Sequence, residues 1–523
     1  FQKAPMEIEF KFLIPAHRLE GVEAALQQGP FTACRMEAHY FDTPGGDLAR
    51  HGIAWRVRNE GGAWVQTVKT LGDGPLARGE HNAPVPRPAD PAGIPRPDPT
   101  LHAGSTAGRQ LAKVLAGTRA APVATYGTEF ERVARDIPLP GGGAMEVALD
   151  VGRVVARRGG ADEVSEPLCE LELELKQGSV PALVAAATQW ARTHGLVLST
   201  LSKAERGERL RAGQAAGPAA KAGPVRVPKG RLPAGQDLQR TVVAHCLEQI
   251  LANASEIAHG HVGEKHIHQL RVGLRRLRTA LRELDRVAPG RFDPAWQTPL
   301  RSAFRRLGSL RDGGHVMEQI GEALRQAGAP AVDTGSAPSE SAQHIVADAA
   351  FQSTLIALMG FAATPGRPPQ ARVGEECGLD ADATRRVLRK ALRKLHRGLA
   401  EDATSFASLP AERRHGVRKR IKRLRYLAEF LAPALRGGGR DFLRHLEPAQ
   451  EALGRLNDEQ VAQAQYRQLA AKHPKAWFAV GWLAARRESL LAECERALRR
   501  LKEGPEVRKG GFRQAGDGVR IER

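Results

Sequence analysis

The 523-residue chain has five cysteines, Cys34, Cys169, Cys246, Cys377 and Cys494. No two of them stand in a Cys-X-X-Cys pair, so neither a disulfide framework nor a thiolate zinc site is indicated, and they read as ordinary thiols of a reducing compartment. Aromatic residues make up only 5% of the chain. That scarcity disfavours a protein that stacks successive bases of a single-stranded nucleic acid. No apolar run approaches the roughly 18 residues of a membrane helix, and no charged-then-apolar leader opens the sequence. The expectation is a cytoplasmic protein with no membrane partner.

What the chain does have is basic charge, unevenly placed. Its 78 Lys and Arg face 58 Asp and Glu, for a net +20. Up to Ala215 there are 25 of each sign, so the remaining 53 basic and 33 acidic residues carry the whole excess. A chain of this length exceeds one hydrophobic core, and two domains with different partners are expected. Gly213 to Gly235 is rich in Ala, Gly, Pro and Lys without apolar periodicity, which reads as a flexible basic linker. The expected division is a first domain over 6–212, a linker over 213–235, a helical domain over 236–503 and a disordered tail over 504–523.

The first half reads as strands with an inverted logic. Side chains alternate across a strand, so Glu7, Glu9 and Lys11 share one face and Ile8, Phe10 and Phe12 the other. Arg56 and Arg58 repeat the arrangement, Lys69 adds an ammonium, and Cys169 to Lys176 alternates without a break, with Glu170, Glu172, Glu174 and Lys176 opposite three leucines. A solvated face of an antiparallel sheet explains one such strand. Four of them, with acids grouped apart from bases, fit an antiparallel β-barrel with a charged lumen. The acids suit a divalent cation and the bases a polyanion. All three of Glu170, Glu172 and Glu174 share one face, and which two of them take part is a question of register that stays open. Thr106 to Leu115 and Val180 to His194 have helical spacing and could cover the barrel. Pro84 to Pro99 is so dense in proline that an extended loop is expected.

The second half is built from Leu-, Ala- and Arg-rich segments: Asp237 to Ala258, Lys265 to Val287, Asp380 to Ala403, Ala411 to Leu431, and more of the same over 435–502. These predict an all-helical bundle, with loops over 328–342 and 362–372. An internal repeat runs through it. His268, Arg271, Arg275, Arg276 and Arg278 recur as His415, Arg418, Lys422, Arg423 and Arg425, 147 residues later, and Leu307 to Asp312 recurs as Leu453 to Asp458 after 146. The duplicated unit is therefore several helices long. His268, Arg271, Arg275, Arg278 and Arg282 form one stripe on a helix, beside a second stripe of Leu270, Leu274, Leu277, Leu281 and Leu284. Like charges at i,i+4 repel unless an anion neutralises them. Arg stems snorkelling over the core are the plain alternative. The histidines His259, His261, His266 and His268 do not read as a metal site, because only His268 has a counterpart in the second copy.

Glu7-Ile8-Glu9-Phe10-Lys11 resembles the Glu-X-Glu-X-Lys signature of the CYTH superfamily, the triphosphate tunnel metalloenzymes. Further matches follow in family order: Tyr40 to Thr43, Gly52 to Arg58, Lys69, Thr128 to Arg132, Asp150, Glu170 to Lys176 and Ser202 to Gly207. The resemblance implies an α+β fold with an antiparallel β-barrel tunnel, and hydrolysis of inorganic triphosphate to pyrophosphate and phosphate with Mg²⁺ or Mn²⁺. It implies that Lys11, Arg56, Arg58, Lys69 and Arg132 hold phosphate oxygens, with Lys203 and Arg206 as further candidates. Glu7, Glu9, Asp150, Glu170, Glu172 and Glu174 are the candidate metal ligands, and Glu7, Glu9, Lys11, Arg56, Arg58 and Lys69 the candidate catalytic set. Every one of these lies within 1–212, so that fragment alone is expected to hydrolyse triphosphate.

The repeated basic helices resemble the CHAD domain, a conserved-histidine helical domain often fused behind CYTH. The resemblance implies long-chain polyphosphate as a partner, held by His268, Arg271, Arg275, Arg276, Arg278, His415, Arg418, Lys422, Arg423 and Arg425, and possible residence at polyphosphate granules. Arg311-Asp312 keeps the family's Arg-Asp pair while the second copy has Asn457-Asp458. Two rival readings stand: an organic triphosphate in the same tunnel, as for adenylate cyclase, thiamine triphosphatase or RNA triphosphatase, and a non-catalytic protein binding polyphosphate or nucleic acid. Polyphosphate, with charge and no bases, suits the aromatic-poor surface better than RNA.

Overall fold

The computed structural model describes residues 7–71, 77–88, 90, 93–118, 120–158, 162–227, 230–312, 315–332, 340–364, 378–501 and 504–513. In chain order the strands are β1 (Glu7–Leu13), β2 (Thr32–Asp42), β3 (Ile53–Glu60), β4 (Ala63–Leu71), β5 (Ala77–Val85), β6 (Val123–Leu139), β7 (Gly143–Arg158), β8 (Asp162–Gln177), β9 (Val197–Leu198), β10 (Leu232–Pro233) and β11 (Phe512–Arg513). The helices are α1 (Leu19–Leu26), α2 (Asp47–Arg50), α3 (Thr106–Ala116), α4 (Val180–His194), α5 (Lys203–Ala212), α6 (Gly235–Ala258), α7 (Glu264–Glu283), α8 (Gln297–Asp312), α9 (His315–Gln326), α10 (Ala342–Val346), α11 (Ala349–Ala363), α12 (Ala381–Ala403), α13 (Ala411–Phe430), α14 (Arg440–Ala470) and α15 (Trp477–Arg499). No described helix is long and apolar enough to cross a membrane.

The chain forms two compact units. The first comprises Phe1–Ala220, Leu247–Gln269 and Val346–Thr364; the second comprises Lys221–Cys246, Leu270–Ile345 and Pro365–Arg523. The first unit therefore takes in two stretches from the helical half.

In the first unit the sheet runs in the order β5-β4-β3-β2-β6-β7-β8-β1-β9, and β1 also pairs with β5. That last pairing is short, with Glu7 opposite Arg78 and Ile8 opposite Ala77; further along β1, Phe12 and Leu13 pair with β9 instead. The antiparallel sheet thus comes round to its own first strand over two residues, which gives the expected tunnel. Alternation decides what faces out: Phe10, Phe12, Val147, Leu171 and Leu173 are fully buried on the apolar side. Helix α4 spans the expected Val180–His194, capped by the Ser179 hydroxyl on the Ala182 N–H and closed by Gly195 at φ 62°. Its buried Val180, Leu183, Ala187 and Ala191 recur at helical spacing.

Two expectations need correction here. The proline-rich stretch begins inside a strand, because Pro84 still pairs with Val65 of β4. The pairing of β1 with β5 has ended by then, so Pro84 lies where β5 needs no second ladder, as a proline requires. Residues 213–235, expected to be a flexible linker, are tied down at several points. The His266 Nε2–H donates to Gly217 O at 3.0 Å, and Ala220 exchanges two hydrogen bonds with the Asn253 amide at 3.1 and 2.9 Å.

Within the second unit β10 and β11 pair in parallel, Leu232 with Phe512 and Pro233 with Arg513. Val507 bridges to Leu435, and the Arg436 N–H donates to Glu506 O at 2.9 Å. The expected disordered tail is therefore structured over 504–513; residues 514–523 lie outside the described residues, as do Cys377 and parts of both predicted loops.

The duplication is a duplication of helices. Helices α7 and α13 have 20 residues each, with His268 and His415 at the same place in both. The second repeated motif falls in α8 and in α14. The expected apolar stripe is buried in both copies: Leu270, Leu274, Leu277 and Leu281 in one, Val417, Ile421, Leu424 and Ala428 in the other.

Candidate functional site

Strand register brings the charged faces together. Glu9 stands opposite Glu174 and Lys11 opposite Glu172, Asp150 opposite Glu170, Arg132 opposite Asp150, Tyr40 opposite Arg56 and Lys69 opposite Glu80. Their inward faces line a cavity of about 420 Å³ that includes Glu9, Lys11, Arg56, Arg58, Lys69, Arg132, Glu172, Glu174 and Lys203. Most of the expected tunnel residues thus share one space. The side chain of Glu7 lies outside the described residues.

The cations come with counterions. Arg58 pairs with Glu60 and Lys69 with Glu80, two carboxylates that alternation in these short strands did not single out. Arg56 donates from Nη1 to the Tyr40 hydroxyl at 3.3 Å. Burial pulls the Arg58 guanidinium down, and the charge of Arg56 adds to it, to about 10. Burial alone would raise the Tyr40 phenol, but Arg56, Lys203 and Lys69 outweigh it and hold the phenol below its usual value.

The densest cluster sits where β7, β8 and α5 meet. Asp150, Glu170 and Glu172 place carboxylate oxygens within 4.8 Å of one another. Lys203 Nζ touches all three, Asp150 at 2.7 Å, Glu172 at 3.1 Å and Glu170 closer still. Arg132 clamps Asp150 with two hydrogen bonds of 2.7 Å and reaches Glu172 at 2.6 Å. Burial works against the Glu172 charge, yet Lys203 and Arg132 hold its carboxyl well below the usual carboxylate range. Lys203 itself is raised, because those three carboxylates outweigh its desolvation.

An all-carboxylate donor set fits a hard divalent cation and not a thiolate- or imidazole-seeking one. Three carboxylates against two cations leave one negative charge, so the cluster can accept further positive charge. An ion bound to Asp150 and Glu170 has to compete with Lys203, whereas Glu9, Glu172 and Glu174 face the cavity.

Around this cluster the remaining motif residues have structural work. The Asp42 carboxylate accepts from the N–H groups of Thr43, Leu48 and Ala49 at 2.7 to 2.9 Å, which fixes the turn into α2. Arg206, expected on substrate, pairs with Glu166 and the Pro167 carbonyl on β8 and does not line the cavity. Gly207 is needed for contact, since a Cβ there would stand 2.1 Å from the Tyr126 ring. Tyr126 in turn stacks on Tyr40 at 4.8 Å.

In the second unit the basic residues divide into two groups. Arg271, Arg275 and Arg278 gather round the Phe304 ring at 5.3, 5.3 and 5.7 Å. Burial, followed by Arg275, Arg418 and Arg271, drives the Lys422 ammonium down to about 6, against the opposing charge of Asp458. Burial and the neighbouring Lys419 and Arg418 likewise lower His415. By contrast Arg276 is buried, pairs with Glu429 and lies over Phe430 at 5.0 Å. Arg423 donates to Glu283 at 2.8 Å from Nε, and Arg425 to Glu429 at 2.7 Å. Arg276 and Arg423 are thus spent on joining α7 and α13, and Arg425 on a pair within α13 and a bond to Gln450 of α14. His268 falls in the part of α7 that belongs to the first unit. The side chains of Arg311 and Asp312 lie outside the described residues.

Residues 5–207 match the CYTH domain family and residues 241–467 the CHAD domain family. The chain carries a CYTH domain followed by a CHAD domain. The CHAD match spans the two stretches, 247–269 and 346–364, that pack in the same unit as the CYTH domain. An inorganic triphosphatase of Haemophilus influenzae is 28% identical over 171 residues, which is 32% of this chain and 44% of that relative; the match spans less than half of the relative's length. Among solved structures, a CHAD domain from the plant Ricinus communis aligns at 25% identity over 56% of this chain and 99% of its own, with a TM-score of 0.42. A putative adenylyl cyclase from Hippeastrum with a dominant triphosphatase activity aligns at 18% identity over 40% and 97%, with a TM-score of 0.27.

Proposed function

We propose that the CYTH domain hydrolyses inorganic triphosphate to pyrophosphate and phosphate with Mg²⁺ or Mn²⁺, and that the CHAD domain binds long-chain polyphosphate. The observation that carries the first part is the meeting of Lys11, Arg56, Arg58, Lys69 and Arg132 with Glu9, Glu172 and Glu174 around one cavity of about 420 Å³. Phosphoryl transfer needs positioning and charge neutralisation more than covalent help, and such walls supply both. The arginines can grip phosphate oxygens in pairs and the lysines as point charges. Glu9, Glu172 and Glu174, with Glu7, are the residues to hold the divalent cation, which when bound neutralises phosphate charge and polarises the phosphorus under attack. Asp150 and Glu170 hold Lys203 at the cavity wall, where its ammonium can reach a phosphate oxygen. The Haemophilus influenzae relative agrees in activity with this reading.

The cavity favours a substrate without a base. Its two aromatic rings, Phe130 and Tyr40, are already covered, Phe130 by Lys203 and Arg132 at 5.2 and 5.9 Å and Tyr40 by Tyr126. Turnover of triphosphate, ATP, thiamine triphosphate and 5′-triphosphorylated RNA, with and without each metal, tests the reading. Fastest turnover of the inorganic substrate, giving equal pyrophosphate and phosphate, is expected; a faster organic substrate overturns it.

For the CHAD domain the support is the Phe304-centred arginine cluster beside Lys422. Polyphosphate affinity should fall steeply with salt as counterions are released, and single-stranded RNA should compete poorly. A chain with this surface is recruited to polyphosphate granules in the cytoplasm, which fluorescence microscopy of a tagged chain can check.

A further inference from the structure

We propose that Ser255 and Glu256, on a helix of the CHAD match, position the cavity residue Lys203 of the CYTH domain by clamping both ends of α5. As far as turnover is concerned, the inference rests on the triphosphatase reading. Its structural part does not.

Lys203 is the first residue of α5, so the start and tilt of that helix decide where its ammonium lies. The start is set locally by a capping box between Ser202 and Glu205. Two residues upstream, the Thr200 N–H donates to Ser255 Oγ at 2.9 Å, and the two hydroxyls lie 3.2 Å apart. At the far end Arg209 pairs with Glu256 at 2.6 Å. Glu256 is only 3% exposed, and its second oxygen meets His261 Nδ1 at 3.0 Å. One turn earlier on α6, Asn253 holds Ala220, just past α5, with two hydrogen bonds. The chain is thus gripped before, along and after α5 by 253–256. The opposite side of α5 rests on the strands, through Gly207 against Tyr126 and Arg206 against Glu166.

The geometry leaves little slack. A buried ion pair that loses one partner strands the other charge, and Lys203 needs a fixed place to meet three carboxylates within about 3 Å. Loss of the α6 grip should let α5 lift or slide, and the ammonium then leaves the cluster. Nothing local to 1–212 replaces that grip, so the separated fragment should hold Lys203 poorly even where its strands form.

The test uses the full chain and its Ser255→Ala, Glu256→Gln and doubly substituted variants. Each is exposed to an amine-acylating reagent, and Lys203, Lys11 and Lys176 are followed by peptide mass spectrometry. Lys11 is as buried as Lys203, at 7% exposure each, but sits on β1; Lys176 is exposed. We expect Lys203 in the double variant to react roughly tenfold faster, as for a locally opened segment, with Lys11 and Lys176 unchanged. Triphosphate kcat should fall by about the same factor with little change in KM. Lys203 staying protected, or Lys11 speeding up alongside it, overturns the inference. Wild-type chain without triphosphate turnover overturns the reading under Proposed function instead, and the labelling result still decides the clamp.

Discussion

The two basic regions of this chain handle positive charge in opposite ways. In the tunnel the cations are matched inside the fold: Arg58 with Glu60, Lys69 with Glu80, Arg132 and Lys203 with Asp150, Glu170 and Glu172. In the bundle Arg271, Arg275 and Arg278 crowd one ring, and Lys422 is driven down by its basic neighbours. A matched set is stiff and specific, because a ligand must replace existing pairs with better ones. A crowded set repels itself, and a long anion spanning it would relieve that repulsion.

The sharpest way to break the contrast is Glu172→Gln. This residue is shared by Lys203 and Arg132, so its loss takes a counterion from both. Triphosphate turnover should fall on the order of a thousandfold, and the melting temperature should drop, because the buried Lys203 and the half-buried Arg132 lose a partner. Glu9→Gln should abolish turnover as well but leave melting intact or raised. Near-wild-type turnover for either variant at saturating metal removes it from the site.

Within the bundle, neighbours on one helix should diverge. Arg275→Ala should weaken polyphosphate binding and leave stability unchanged or higher, since it relieves repulsion. Arg276→Ala should cost about 3 kcal/mol of stability, as for a broken buried pair, and lose binding only through that. Paired chemical melts and binding titrations separate the two; equal profiles would erase the distinction between anion ligands and helix ties.

A smaller effect should appear with pH. Lys422 titrates near 6 in the free protein, with Arg271 and Arg275 facing it from α7, Arg418 from its own helix and Asp458 from α14. A polyanion favours its charged form, so binding takes up a proton, and affinity should fall as pH rises from 6 to 8, by at most about tenfold per unit. Stability of the free bundle moves the other way. The unfolded chain binds the proton and the folded one does not, so this residue's contribution rises with pH through the same window. Lys422→Met should flatten the affinity profile measured by calorimetry.

The smallest effect is expected at Lys176, which pairs with Glu174 and Glu146 at the cavity while remaining exposed. Lys176→Met should change turnover less than twofold and stability by under about 1 kcal/mol. A large loss there would mean that the rim matters as much as the matched interior.

Much of this was legible because both periodicities are regular. Period-two alternation located β1, β3, β4 and β8, and 147-residue recurrence located α7 and α13 in register. Helix α11 escaped, since apolar residues on every side give no amphipathic stripe; it is buried from Phe351 to Ile356 and again from Leu358 to Gly360. For Lys203 the sequence shows the charge but not the three carboxylates that register delivers to it. Arg276, Arg423 and Arg425 look identical in sequence to their neighbours. Glu429 and Glu283, arriving from the partner helix, distinguish Arg276 and Arg423, and Glu429 one turn on along α13 distinguishes Arg425.

The make-up of the first unit also bears on how the chain is born. Its strands and α5 have been synthesised by Ala220, but the unit is completed by 247–269 and 346–364. At about 5 to 20 residues per second, roughly seven to thirty seconds of further synthesis separate the synthesis of the tunnel from that of its last supporting helix. During that interval the nascent tunnel lacks α11 against α4, including the bonds that the Leu198 N–H donates to Gln352 and Arg192 Nε donates to Ser353. Vectorial synthesis thus sets the order of maturation: the domain translated first is the one that must wait.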